Sequence, residues 1–156
     1  MEKSVEKPIP IFNHIAISVS ADLLNESGRK KLLDFYGTVF GYTEMPSMTK
    51  DKELLVLRVH SNQQFIYLTA NDNPMQCPAM DHFGLSVSSP EQLYDILEKA
   101  KQYQKKDSDV VVEGPNLEDF EVLKLHSFYV GYLLPMMLEI QCFDWQEGFD
   151  ADSLPD

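Results

Sequence analysis

The chain has 156 residues, enough for one domain or two small modules sharing a core, and its 44% hydrophobic and 11% aromatic content excludes global disorder. A formal net charge of −12 leaves no basic stripe to displace counterions, which excludes nucleic acid and anionic membrane as partners. Two cysteines, Cys77 and Cys142, are too few for a disulfide framework and read as reduced, buried small hydrophobes, with a single bridge as the alternative.

In chain order, residues 1–10 are charged and Pro-containing and read as a loose arm. MEKSVEKPIP lacks the apolar core of a signal peptide and no apolar run reaches membrane-spanning length, so a soluble cytoplasmic protein is expected. Phe12 to Val19 alternates as a half-buried strand. Ala21 to Gly28 is a polar lead-in offering Asn25 and Ser27 as helix caps. Arg29 to Phe40 carries Leu32, Phe35, Tyr36, Val39 and Phe40 at helical spacing, and Gly41 stops it. Tyr42 to Met48 reads as a strand, and Glu53 to Val59 with Gln64 to Thr69 reads as a hairpin turning at HSNQ. NDNPMQCPA is a linker. Asp81 to Val87 is again a strand, and SSPEQ again opens a helix, with Ser89 as cap, Pro90 at the first position and Gln92 completing a capping box. Leu93, Ile96, Leu97 and Ala100 give that helix one apolar face, and Lys101 to Asp109 reads as a charged loop. Val110 to Glu113, Val122 to Tyr129 and Met136 to Phe143 supply three more strands before an acidic tail, QEGFDADSLPD, expected to fray.

One stretch occurs twice. NHIAISVS at residues 13–20 matches DHFGLSVS at residues 81–88 position by position, and the elements after each copy follow in the same order. Alternation puts His14, Ala16 and Ser18 on one face of the first copy and Ile15, Ile17 and Val19 on the other; His82, Gly84 and Ser86 oppose Phe83, Leu85 and Val87 in the second. Each strand therefore has an apolar face for a helix and a small polar face, carrying a histidine, that suits a cavity wall.

With the duplicated HIAISV and HFGLSV strands, LLDFYGTVFGY in the first half and LEIQCFDW closing the second, residues 11–145 resemble the vicinal oxygen chelate superfamily. That superfamily includes glyoxalase I, extradiol dioxygenases, bleomycin resistance proteins, fosfomycin-resistance transferases and methylmalonyl-CoA epimerase. The resemblance implies an α+β fold of two βαβββ modules, residues 11–70 and 80–145, joined by a linker at 71–79, with tails at 1–10 and 146–156. The modules would form a cupped, mostly antiparallel eight-stranded mixed sheet with helices outside. It also implies a divalent metal held on the first and last strands of each module, at His14, Tyr67, His82 and Glu139. Matching QFIYLT to MMLEIQ makes Tyr67 the counterpart of Glu139, so the first module has a tyrosine where a carboxylate stands in relatives. His14, His82 and Glu139 remain as ligands, a set that suits Fe2+ and is tolerated by Mn2+, Zn2+ or Ni2+. Tyr67 becomes a pocket wall, and Tyr129 is expected to orient a substrate oxygen.

Each residue has a plainer reading. A strand histidine is commonly a hydrogen-bonded core residue, Glu139 a strand end reaching water, and Tyr129 a strand aromatic. His126 falls on the opposite face from Tyr129 and reads as a structural or surface residue, and His60 sits in a turn, solvated. GYLLPMM, where relatives carry a polar turn, suits an apolar pocket, a dimer interface or a covered strand edge.

The resemblance implies a metal-dependent enzyme on a small molecule that chelates through adjacent oxygens. Ring-cleaving, extradiol-type chemistry is the first specific expectation, because losing the first-module carboxylate removes a natural base for glyoxalase or epimerase chemistry. A fosfomycin-type transferase wants cations, and the later strands of the second half offer only Lys124. The rival is a binding protein of the bleomycin-resistance kind, which needs no metal. A homodimer is expected on the resemblance alone.

Overall fold

A computed structural model describes residues 10–153; the N-terminal arm before residue 10 and the last three residues lie outside the described part. The first module runs β1 (His14–Val19), α1 (Glu26–Phe40), β2 (Thr43–Glu44), β3 (Leu54–Ser61) and β4 (Gln64–Ala70). The second runs β5 (His82–Ser86), α2 (Pro90–Gln104), β6 (Val111–Asp119), β7 (Leu123–Gly131) and β8 (Met137–Trp145). The eight strands make two four-stranded mixed sheets of identical order, β1-β4-β3-β2 and β5-β8-β7-β6. In each, the first and last strands pair in parallel and the remaining ladders are antiparallel.

The helices begin where the capping residues stand. Asn25 accepts from the Gly28 N–H, and Ser89 accepts from the Gln92 N–H with Pro90 in the first turn. Gln92 reaches back to the Ser88 N–H, one residue before the cap. Gly41, at φ 76°, ends α1 in the left-handed region that glycine tolerates.

Three elements differ from expectation. Tyr42 turns into the core and stacks with Phe40 at 5.2 Å, and a 3-10 turn follows at Pro46–Met48, which leaves β2 only two residues long. α2 runs through Gln104 into the expected loop, because Tyr103 packs on Phe35 and the Gln104 amide donates to the Val110 carbonyl. β6 extends to Asp119, with a register shift between Glu113 and Asn116 that accommodates Pro115 on an edge strand. Cys77 and Cys142 are both free thiols; Cys142 is buried as expected and Cys77 is not.

The two modules share one core, joined through their helices. Phe35 of α1 meets Tyr36, Tyr103 and Tyr132 at ring-centroid distances of 4.9, 5.1 and 4.6 Å. Polar ends fix the aromatic cluster. The Tyr36 hydroxyl donates to the Tyr132 carbonyl at 3.0 Å, the Tyr132 hydroxyl to Asp107 at 2.7 Å, and the Tyr103 hydroxyl to Asp34 at 2.8 Å. Burial, then donation to Asp34, pushes the Tyr103 phenol up to about 12. At its start GYLLPMM is therefore no pocket wall: Tyr132 is buried against Phe35 of the first module.

Two outcomes follow from this joint. Phe35 is fully buried, so Phe35→Ala should destabilise the chain by about 3–5 kcal/mol in urea unfolding. The Tyr132 hydroxyl holds the Asp107 carboxyl below its ordinary value. That contribution to stability is present above the unfolded carboxyl's pKa and is lost as pH falls through the folded one. Tyr132→Phe should remove this acid-side slope in stability measured against pH, while the slope persists in the unsubstituted chain.

Candidate functional site

The parallel pairing of β5 with β8 sets Gly84 beside Glu139, and the antiparallel pairing of β7 sets Tyr129 on its other side. Alternation turns all three away from the apolar face that carries Leu138, Ile140 and Cys142 into the core. Glu139 is only 8% exposed, a costly place for a carboxylate without partners. It has two. His82 Nε2 stands 3.1 Å from Glu139 Oε2. Tyr129 lies opposite on the neighbouring strand, and its phenol is raised above its ordinary range by hydrogen bonding to Glu139 first, then by burial and the charge of Glu139. The His82 ring meets Tyr129 edge-on at 5.0 Å.

The second nitrogen of His82 decides what this cluster can hold. His82 Nδ1 lies 2.9 Å from the Met80 carbonyl, an acceptor only, so Nδ1 carries the proton. In a neutral imidazole Nε2 then presents a lone pair to a carboxylate oxygen. Two acceptors at that separation call for a positive species shared between them, either a second proton on the ring or a metal ion. Anchoring one imidazole nitrogen on a backbone carbonyl is how metal-ligating histidines are commonly oriented. His82 Nε2 and Glu139 are thus two donors that could share a cation.

His14 is prepared in the same way. Its Nδ1 lies 2.8 Å from the Asn13 side-chain oxygen, and its ring stacks on Phe65 at 4.9 Å. However, no group of three or more His, Cys, Asp or Glu side chains gathers among the described residues. Within one chain the described residues bring together His82, Tyr129 and Glu139, and His14 does not join them. The modules meet through their helices, and no ladder joins the two sheets. His14, Ala16, His82, Gly84 and Ser86 consequently remain exposed.

Tyr67 occupies the place in sheet one that Glu139 holds in sheet two, as the alignment of the repeats anticipates. It pairs with Ala16 as Glu139 pairs with Gly84. It is half-buried and lines a cavity of about 310 Å3 with Lys50, Glu53 and Thr69. His60 lies in β3, not in the turn, and is exposed. His126 faces α2, where the Tyr94 hydroxyl meets its Nδ1 at 3.1 Å and its buried Nε2 has no hydrogen-bond partner. Met80 and Asn13, which orient the two histidines, escaped the sequence reading, although Asn13 is visible as the polar residue preceding a strand histidine.

No protein-family model and no curated protein sequence matches the chain. Solved structures do match its fold. A glyoxalase/bleomycin resistance protein/dioxygenase from Alicyclobacillus acidocaldarius is 18% identical, covering 97% of this chain and 100% of that one at a TM-score of 0.61. A structure from Bacillus cereus described as a possible glyoxalase is 23% identical, covering 83% and 96% at 0.55. A fosfomycin resistance protein from Listeria monocytogenes is 15% identical, covering 86% and 94% at 0.57. The two-module fold of the vicinal oxygen chelate superfamily is the fold of this chain.

The environment of His126 is structural, and a substitution separates it from the cluster on the other face. Tyr94→Phe removes the hydroxyl beside a buried ring nitrogen and should cost about 1–2 kcal/mol in urea unfolding, with metal uptake unchanged.

Proposed function

We propose that this chain, built on the fold of the vicinal oxygen chelate superfamily, is a metal-dependent enzyme acting on a small molecule that binds through adjacent oxygens. The observation that carries the reading is the buried Glu139 carboxylate facing His82 Nε2 at 3.1 Å, with the other imidazole nitrogen anchored on a backbone carbonyl. His82 and Glu139 would hold the metal, with His14 of a second copy as the third ligand. The small polar faces of β1 and β5 support that arrangement, since His14, Ala16, His82, Gly84 and Ser86 stay exposed among the described residues. Fe2+ is the favoured ion for a set of two histidines and one carboxylate, with Mn2+, Zn2+ and Ni2+ also compatible. Bound there, the metal would supply a Lewis acid with open positions for substrate oxygens.

The chain's own residues have separable tasks. Glu139 raises the Tyr129 phenol, which keeps its proton; the single O–H turns to a substrate oxygen only when it leaves Glu139, as it would once the carboxylate holds a metal. Gly84 and Ala16 keep the strand faces low: a Cβ on Gly84 would meet only the Gln141 side chain, at 3.9 Å. Ring-cleaving oxygen chemistry is the first reaction to assay, because Tyr67 leaves the first module without the carboxylate base that isomerisation would use. The second reading is a ligand-sequestering protein without catalysis, which the separation of His14 from the cluster within one chain favours.

Metal analysis of protein purified without chelators or an affinity histidine tag tests the enzyme reading. Near-stoichiometric metal is expected, with uptake reduced at least about tenfold in His82→Ala and Glu139→Ala. No uptake of Fe2+, Mn2+, Zn2+ or Ni2+ would leave the sequestering reading.

The source of His14 has its own test. His14→Ala and His82→Ala chains should each fail to bind metal, yet mixed hybrids should recover one site per dimer, because one of the two interfaces then has every ligand. A site within one chain would give no recovery.

A further inference from the structure

The face that holds Glu139 has a charge pattern that bears on which molecule it would admit. The four strands β5 to β8 contain a single lysine or arginine, Lys124. Alternation turns Lys124 to the opposite face from Tyr129, between Asp119 and Asp144. The carboxyls go the other way. Glu113 and Glu118 of β6 are five residues apart and would stand on opposite faces of a regular strand. The register shift between Glu113 and Asn116 inserts one extra residue and cancels that difference. Glu113 consequently pairs with Tyr129, and Glu118 with Leu125, both on the face of Glu139.

Three carboxyls therefore share a face on which these strands place no ammonium or guanidinium. Their charge is felt at the cluster. Glu139, nine-tenths buried, faces an imidazole nitrogen at 3.1 Å and no permanent cation. Hydrogen bonding to Glu139, burial and the charge of Glu139 raise the Tyr129 phenol, and the charges of Glu118 and Glu113 raise it further. Glu113 stands two strands from Glu139, about 10 Å at ordinary strand spacing. A metal at Glu139 would offset its own ligand first and leave the β6 side of the face negative. Phe143, in one cross-strand row with Leu125 and Glu118, is exposed and stacked with Trp145, an aromatic surface that suits a cation. An anionic tail is repelled over this face, a neutral one gains nothing from the field, and an ammonium is drawn to it. We propose that the substrate carries a cationic amine, with its adjacent oxygens towards His82 and Glu139 and its ammonium towards Glu113 and Glu118. The inference rests on the metal reading and adds to it the charge of the substrate.

Dopamine, ethylcatechol and dihydrocaffeate share one chelating head and differ in the charge of the tail. Calorimetric titration of the full-length protein with Zn2+, in the absence of oxygen, should rank them in that order. Dopamine should bind about tenfold or more tightly than ethylcatechol at low salt, and raising the salt should shrink that preference. Glu113→Gln with Glu118→Gln should abolish the preference, and circular dichroism checks that the double variant folds. Glu98→Gln, which removes an exposed charge on α2, should keep it. Zn2+-dependent binding with no preference for dopamine over ethylcatechol would overturn the cationic substrate and leave the metal reading standing. A preference that survives in the double variant would also overturn it. Binding that ignores Zn2+, or no binding of any of the three, would sink the metal reading and this inference with it.

Discussion

The packing of Phe35 against Tyr36, Tyr103 and Tyr132 decides which surfaces of this chain are used up and which remain. Aromatic rings bury large apolar areas, and three of these carry hydroxyls that must find acceptors when buried. Tyr36 and Tyr103 find them across the joint, in a backbone carbonyl of the loop after β7 and a carboxylate of α1, and Tyr132 finds its own within the second module, in the loop after α2. The apolar faces of both helices are thereby spent on the shared core. Polar strand faces holding His14 and His82 point the other way, towards solvent.

Within that frame, the second module concentrates charge where the first does not. The row Gly84–Glu139–Tyr129 has a counterpart, Ala16–Tyr67–Val56, at the same register in the first sheet. One row holds a buried carboxyl facing His82; the other holds a phenol and an aliphatic side chain. The duplication conserves shape, and the electrostatic work falls to one half. Such asymmetry suits a site in which one module binds and the other covers.

Much of this was legible in the sequence because strand alternation has a period of two and leaves little freedom. Once β1, β5 and β8 were placed, the faces of His14, His82 and Glu139 followed, as did the placing of His126 on the opposite side from Tyr129. Capping chemistry placed Asn25 and Ser89 for the same local reason. What the sequence did not disclose was tertiary. Nothing near GYLLPMM announces that Tyr132 will be clamped by Asp107, nor that Tyr42 will leave a predicted strand to stack on Phe40. A polar partner supplied by a backbone carbonyl, as Met80 supplies one to His82, has no side-chain signature. Whether two strand histidines meet depends on how whole modules dock, which no local pattern encodes.

The division of the ladders has a consequence for synthesis of the chain. Among the described residues, every backbone pairing between strands lies within residues 14–70 or within residues 82–145, and none crosses the linker. The parallel contact of β1 with β4 cannot form until the end of the first half has left the ribosome, but it then needs nothing from the second. The first sheet can therefore close while the second is still being made. Phe35 and Tyr36 would wait with an uncovered aromatic face until Tyr103 and Tyr132 arrive. That interval, set by translation and not by the folded state, is when the chain is most exposed to wrong partners.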